Sequence, residues 1–178
     1  MRKITEKSLE NAAYYYLQRF SSSEGNLRSV LKRKVYKHHL KTGDSIPDQV
    51  DTWIEEVISK SKRLGYVDDQ SYADGKIQGL LARGKSLKYI YDYLYSKHIS
   101  ADVIESLLNQ HFKGEDIETG EYQLEAAIKH ARKKRLGDYR IKALPEDYQE
   151  RQKILQKEIG SLARAGFPID IALKVINN

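Results

Sequence analysis

The fold class predicted for this chain of 178 residues is all-α, an elongated and curved array of three tandem three-helix repeats. Three observations predict it. Apolar residues recur at helical spacing almost throughout, proline occurs only three times, and a segment near the C-terminus repeats one near the middle. The length suits one globular domain or a short array of small modules, and 40% hydrophobic residues suffice for a core.

Taken in order, Ser21 and Glu24 can form a capping box ahead of the apolar stripe Leu27, Leu31 and Val35. The stripe is interrupted at HHLKTGDSIP and resumes at Val50, Ile54, Val57 and Ile58. Asp68 and Asp69, with Tyr72 and Ala73 following, read as a helix start rather than as paired catalytic carboxylates. Ala73, Ile77, Leu80 and Leu81 continue that helix. Gly84 ends it through a left-handed C-cap, and Ser86 caps the next. In KYIYDYLY the tyrosines Tyr89, Tyr91, Tyr93 and Tyr95 alternate as on a half-buried strand. Leu87, Ile90 and Leu94 nevertheless keep a helical stripe, so a helix is the better reading, with two tyrosines beside the stripe and two nearer solvent. Ser100 and Asp102 open a helix bearing Val103, Ile104, Leu107 and Leu108, and Pro145 with Glu146 and Asp147 opens another. The pattern predicts about eight or nine short helices.

A shift of 68 positions lays LYSKHISADVIESLL over LARAGFPIDIALKVI. Leu94 then meets Leu162, Ile99 meets Phe167, Asp102 meets Asp170, and Leu107 and Leu108 meet Val175 and Ile176. A weaker copy begins at Leu27. The expected repeats span 1–65 (with an insertion near 41–48), 66–113 and 114–178.

Charge narrows the function classes. The net charge is +6 and the isoelectric point near 9.3, which suits a polyanion or an acidic protein surface as partner. Arg28 to Lys41 carries six Lys or Arg and no acid, and Lys129 to Lys142 carries seven against one Asp. Asp44 to Glu56 and Glu115 to Glu125 contain no Lys or Arg. Cysteine is absent, which excludes disulfides, thiolate nucleophiles and cysteine zinc sites. His38 and His39 are adjacent, and His98, His111 and His130 lack metal-ligand spacing, so neither metal nor cofactor is expected. No apolar run is long enough for a membrane span, and MRKITEKSLEN lacks a signal-peptide core, so a cytoplasmic location is expected. The thirteen tyrosines could stack on single-stranded bases or simply fill gaps between short helices.

GLLARGKS, from Gly79 to Ser86, satisfies the phosphate-loop pattern G-x-x-x-x-G-K-S/T letter for letter. That loop needs a buried strand before it, and here a helical pattern runs through Gly79 itself. No acidic residue after an apolar strand stands downstream to hold magnesium. The expected arrangement is a cap between two helices, with Lys85 exposed in the turn and free for a partner. ATP-dependent catalysis is therefore the disfavoured alternative.

The central segment carries a resemblance to a known family. Gly65-Tyr66-Val67-Asp68-Asp69, Tyr72-Ala73, Arg83-Gly84-Lys85-Ser86, Ile90, Leu94, Lys97 and Ile99 resemble the RecX proteins, regulators of the bacterial recombinase RecA. LQRFSSSEGNLRSVLKRKV, with Trp53 and Ile54 beyond it, is similar to the alphaproteobacterial branch, and LARAGFPIDIALKVI to the last repeat. One departure is His98, where the family usually has Gly; histidine suits the left-handed region less well, so that cap is expected to be strained or rearranged. Another is Asp92-Tyr93-Leu94 in place of the usual acidic-Leu pair.

The resemblance implies a non-enzymatic protein of tandem three-helix repeats that binds the RecA–DNA filament. It would inhibit ATP hydrolysis, coprotease activity and strand exchange, and so modulate recombinational repair and the SOS response. Single- or double-stranded DNA is a further partner. Candidate contacts are Arg28, Lys32, Arg33 and Lys34 in the first repeat, and Arg83, Lys85, Lys88 and Lys97 in the second. Lys129, Arg132, Lys133, Lys134 and Arg135 complete the set in the third. A stand-alone DNA-binding module acting through its basic helices is the alternative.

Overall fold

The structure, a computed structural model, describes residues 3–112 and 120–177. The acidic stretch Glu115–Glu125 therefore lies partly, and the junction expected at 113/114 wholly, outside the described residues. The described residues form nine α-helices and one 3₁₀ turn, with no strand. The helices are α1 (Glu6–Leu17), α2 (Glu24–Thr42), α3 (Val50–Arg63), α4 (Asp69–Ala82) and α5 (Leu87–Tyr95), then α6 (Ala101–Phe112), α7 (Glu121–Lys134), α8 (Tyr148–Arg164) and α9 (Ile169–Asn177), with the 3₁₀ turn at Gly137–Tyr139. The tyrosine-rich stretch is helical, as its apolar stripe predicts: Tyr89 and Tyr95 are exposed, while Tyr91 and Tyr93 are half-buried.

The chain divides into two compact units, Met1–Gly75 with Leu94–Val103, and Lys76–Tyr93 with Ile104–Asn178. In the first, α1, α2 and α3 pack on one another around Leu9, Ala13, Leu27, Leu31, Ile54, Val57 and Ile58. Trp53 lies against this cluster. Truncating one of these leucines to alanine costs about 2–5 kcal/mol in such settings. In the second, α7, α8, α9 and the 3₁₀ turn pack around Leu162, Phe167, Ile171, Val175 and Ile176. The buried apolar side chains that α7 contributes are three alanines, Ala126, Ala127 and Ala131, with Tyr122, Leu124 and Ile128 partly buried against the cluster. Gly137 has a φ of 58°, and a Cβ there would stand 2.8 Å from the carbonyl oxygen of Val175. Only glycine fits that contact without a shift of backbone.

One corner geometry ends five of the helices. At Gly65, Gly84, His98, Arg135 and Gly166 the chain turns left-handed, with φ between 57° and 88°. Each of these residues donates its amide to the carbonyl three back, and the next residue donates to the carbonyl five back. These are Schellman caps, which satisfy the orphan carbonyls of a helix end. The residue after the turn is buried in two corners 68 positions apart, Ile99 after His98 and Phe167 after Gly166. His98 keeps the geometry that glycine has elsewhere, at φ 60°, so the cap is not rearranged. Its side chain lies against Gly25 and its Nε2 is 3.2 Å from the Ser29 hydroxyl.

At the start of α2 the N-cap is Ser23, two residues beyond the expected Ser21: its hydroxyl oxygen accepts from the Asn26 amide at 3.1 Å. The same hydroxyl donates to the carbonyl of Lys97, which ties that serine into the first unit and selects it over its two neighbours. Asp147, two residues past Pro145, caps α8 and accepts from the Glu150 amide.

Candidate polyanion-binding surfaces

The family-like residues of the central segment serve the fold. Val67, Tyr72, Ala73, Ile90, Leu94 and Ile99 are buried. Asp68 accepts the amides of Gln70 and Ser71 and so caps α4, while Asp69 reaches the Glu24 amide at 2.7 Å and caps α2. Burial pushes the Asp69 carboxyl up from its ordinary range, and the Glu24 amide opposes that. Tyr66 meets Tyr14 edge-on.

The phosphate-loop look-alike is a pair of caps. Gly79 lies within α4, Gly84 is the left-handed cap residue, and the Ser86 hydroxyl accepts from the Tyr89 amide while donating to the Ala165 carbonyl at 2.6 Å. A Cβ on Gly166 would stand 2.6 Å from that hydroxyl oxygen, so the corner closes directly on Ser86. Lys85 is not free in its turn. It is half-buried, its Nζ stands 4.5 Å from the centre of the Tyr89 ring, and its carbonyl accepts from the Tyr122 hydroxyl at 2.6 Å. The loop amides that would cradle phosphate close the α4 cap instead.

The expected contact residues divide into engaged and free. Arg28 makes a two-pronged bond to Glu55 at 2.6 and 2.7 Å, and Lys32 pairs with Asp51 at 3.0 Å. The acidic run of α3 thus neutralises one side of α2. The bond to Arg28 holds the Glu55 carboxyl below its ordinary range. Lys88 pairs with Asp92 along α5, and the Lys97 ammonium lies 3.4 Å from the Asn26 amide oxygen. Pairs as exposed as Lys32–Asp51 and Lys88–Asp92 contribute about 0–1 kcal/mol each, so a competing polyanion displaces them at little cost.

The other side of α2 is different. Arg33, Lys34, Lys37 and Lys41 form no ion pair among the described residues. With Val30 and His38 they form one wall of an open groove whose other wall is Ile4, Ser8, Asn11, Ala12 and Tyr15 of α1 and its approach. Among the described residues no acid lines it, although the Asp44 carboxylate stands 3.3 Å from Nε2 of the lining residue His38. Lys37, Lys41 and Tyr15 were not among the residues expected from sequence. The signal was present, because Arg33/Lys34, Lys37 and Lys41 recur once per helical turn.

In the second unit, α7 carries Lys129, Arg132, Lys133 and Lys134, all exposed, and ends on Arg135. Lys129 donates to the carbonyl of Ala82 at 2.9 Å, which brings this helix beside Arg83 and Lys85. Arg132 lies over the Tyr139 ring at 5.0 Å. His130 reports the local field: burial first, then Lys134, Lys85 and Lys133, push its imidazole below the ordinary histidine range. Lys85, Lys133 and Lys134 are thus brought around His130 from two sequence segments. Among the described residues no helix is long and apolar enough to cross a membrane, and no group of three or more histidines and carboxylates could hold a metal ion.

No family model matches the chain. It is similar to a regulatory protein RecX of Myxococcus xanthus (strain DK1622), 34% identical over 181 residues that cover 99% of this chain and 88% of that protein. It is also similar to a regulatory protein RecX of Corynebacterium efficiens, 28% identical over 121 residues, which cover 67% of this chain and 53% of that protein. Two crystal structures share its fold at 22% identity. One is of a regulatory protein RecX, with a TM-score of 0.62 over 97% of this chain and 71% of that one. The other is of RecX from Lactobacillus salivarius, with a TM-score of 0.61 over 97% of this chain and 94% of that one.

Proposed function

Because the chain belongs to the RecX family of regulatory proteins, we propose that it binds the RecA–DNA filament and lowers RecA's ATPase, coprotease and strand-exchange activities. It acts by binding rather than by catalysis, in the cytoplasm, and limits filament growth or promotes disassembly. The three-repeat organisation over 1–65, 66–113 and 114–178 belongs to the same reading. The observation that carries it is the match to a regulatory RecX over nearly the whole chain. Two exposed cationic surfaces support it, since a nucleoprotein filament presents phosphates and acidic side chains together.

The test is RecA-filament ATPase with and without this protein, run beside binding to naked DNA over a salt series. Inhibition that persists at salt where DNA binding has gone supports a filament binder, whose apolar and polar contacts are less salt-sensitive. The stand-alone DNA module is favoured by the unpaired cations of the α1–α2 groove. It predicts superimposable salt curves for inhibition and for DNA binding.

A further inference from the structure

We propose that the groove between α1 and α2 is the seat of one extended nucleic-acid strand, with its phosphates on Arg33, Lys34, Lys37 and Lys41 and a base on Tyr15. The inference rests on the filament reading for its setting, but it assigns the strand to one groove of the first unit.

Four observations favour this occupant. The four cations are exposed, share one side of α2 and lack ion-pair partners among the described residues. They span about two turns of helix, about 12 Å from Arg33 to Lys41, with about one turn between successive steps. That suits a linear polyanion rather than a single phosphate ion. Tyr15 is 61% exposed at the groove, and the Arg19 guanidinium lies 4.8 Å from its ring centre, a stacking platform backed by a cation. The groove lies between two helices packed on each other, with Ala12 and Val30 in its lining. A duplex about 20 Å across does not enter such a groove, whereas a single strand does. An acidic peptide would use the same cations but would gain nothing specific from an exposed aromatic face.

The probe is a fluorescein-labelled oligothymidylate of about 12 nucleotides, titrated with the full chain by anisotropy. Each phosphate contact contributes about 0.7 to the slope of log affinity against log salt for a single strand. Lys34→Gln/Lys37→Gln/Lys41→Gln is expected to flatten that slope by about 2 and weaken binding on the order of 100-fold at 0.1 M salt. Tyr15→Ala is expected to weaken binding at least about fivefold with the slope unchanged, since stacking releases no counterion. The control Lys153→Gln/Lys157→Gln removes exposed charge on α8, outside the groove, and circular dichroism verifies the fold of every variant.

Three outcomes overturn the proposal. One is a triple variant no weaker than the control. Another is a Tyr15→Ala variant that binds like the parent, and the third is a polyglutamate peptide that displaces the oligomer as well as unlabelled oligothymidylate does. RecA ATPase is read in parallel with the same proteins. A parent that binds the strand through the groove but leaves RecA untouched defeats the filament reading alone. A parent that inhibits RecA while every groove variant binds the strand normally defeats the groove alone.

Discussion

Replacing Gly25 with alanine sets a new methyl group against His98, and the structure gives the size of the collision. An ideal Cβ on Gly25 would stand 2.2 Å from the Cβ of His98 and 2.8 Å from its Cγ. Carbon atoms in contact prefer about 3.5–4.0 Å, so α2 and the corner at His98 must separate by about 1.5 Å. Overpacking of this kind costs about 1–3 kcal/mol. The shift also loosens the bond from the Ser23 hydroxyl to the Lys97 carbonyl and the contact between Ser29 and His98, each about 1 kcal/mol. Alanine returns at most about 1 kcal/mol through its helix propensity. Gly25→Ala should therefore destabilise the first unit by about 2 kcal/mol.

His98→Gly alone should cost about 1 kcal/mol. It relieves about 1 kcal/mol of left-handed strain and frees the unfolded chain by a similar amount, which leaves the loss of the Ser29 contact uncompensated. In the double variant no Cβ remains at 98 to collide with, so most of the loss should return as a coupling energy of about 2 kcal/mol. Trp53, the one tryptophan, packs against the core of this unit and reports its unfolding by fluorescence in urea. At an m-value of 1–3 kcal/mol/M the single variant should unfold about 1 M earlier than the parent. A Gly25→Ala midpoint equal to the parent's, or a double variant equal to the sum of the singles, refutes the steric argument.

Acid should destabilise the chain. Lys60 and Lys7 hold the Glu10 carboxyl at about 2, the bond to Arg28 lowers Glu55, and Glu158 is lowered although its burial works the other way, because Arg140 and the Gly137 amide outweigh it. A lowered carboxylate contributes its full stability above its unfolded value near 4.5, and that contribution is lost as pH falls toward the folded value. Asp69, raised by burial, acts in the opposite sense on its own. The thermal midpoint should drop between pH 5 and pH 2.5, less steeply in Glu158→Gln; a midpoint that is flat or rises would contradict the assignment. His130 supplies a probe of the α7 surface: Lys133→Ala/Lys134→Ala should raise its imidazole pKa, read by NMR titration, because both lysines oppose its protonation. An unchanged titration would mean that the two ammonium groups do not crowd that ring.

Most of the helices and several of their ends were legible in the sequence because their causes are local, whereas no stripe or cap marked α1 or α7. Stripes such as Leu27–Leu31–Val35 and caps such as Gly84 with Ser86 depend on residues within one or two turns, where spacing dictates contact. The 68-residue echo between the corners at His98 and Gly166 is legible for the same reason. The placement of the α2 cap was not. Ser21, Ser22 and Ser23 are interchangeable by propensity, and the Lys97 carbonyl, 74 residues away, selects the third. Nor could the sequence distinguish the cations of one basic run. Arg28 and Lys32 face acids of α3 that stand 27 and 19 positions on, whereas Arg33, Lys34, Lys37 and Lys41 face a groove that no acid lines among the described residues. Composition supplies the charges, but which of them remain available to a partner depends on how α1, α2 and α3 pack, since an ion pair forms only where the fold brings opposite charges within a few ångströms.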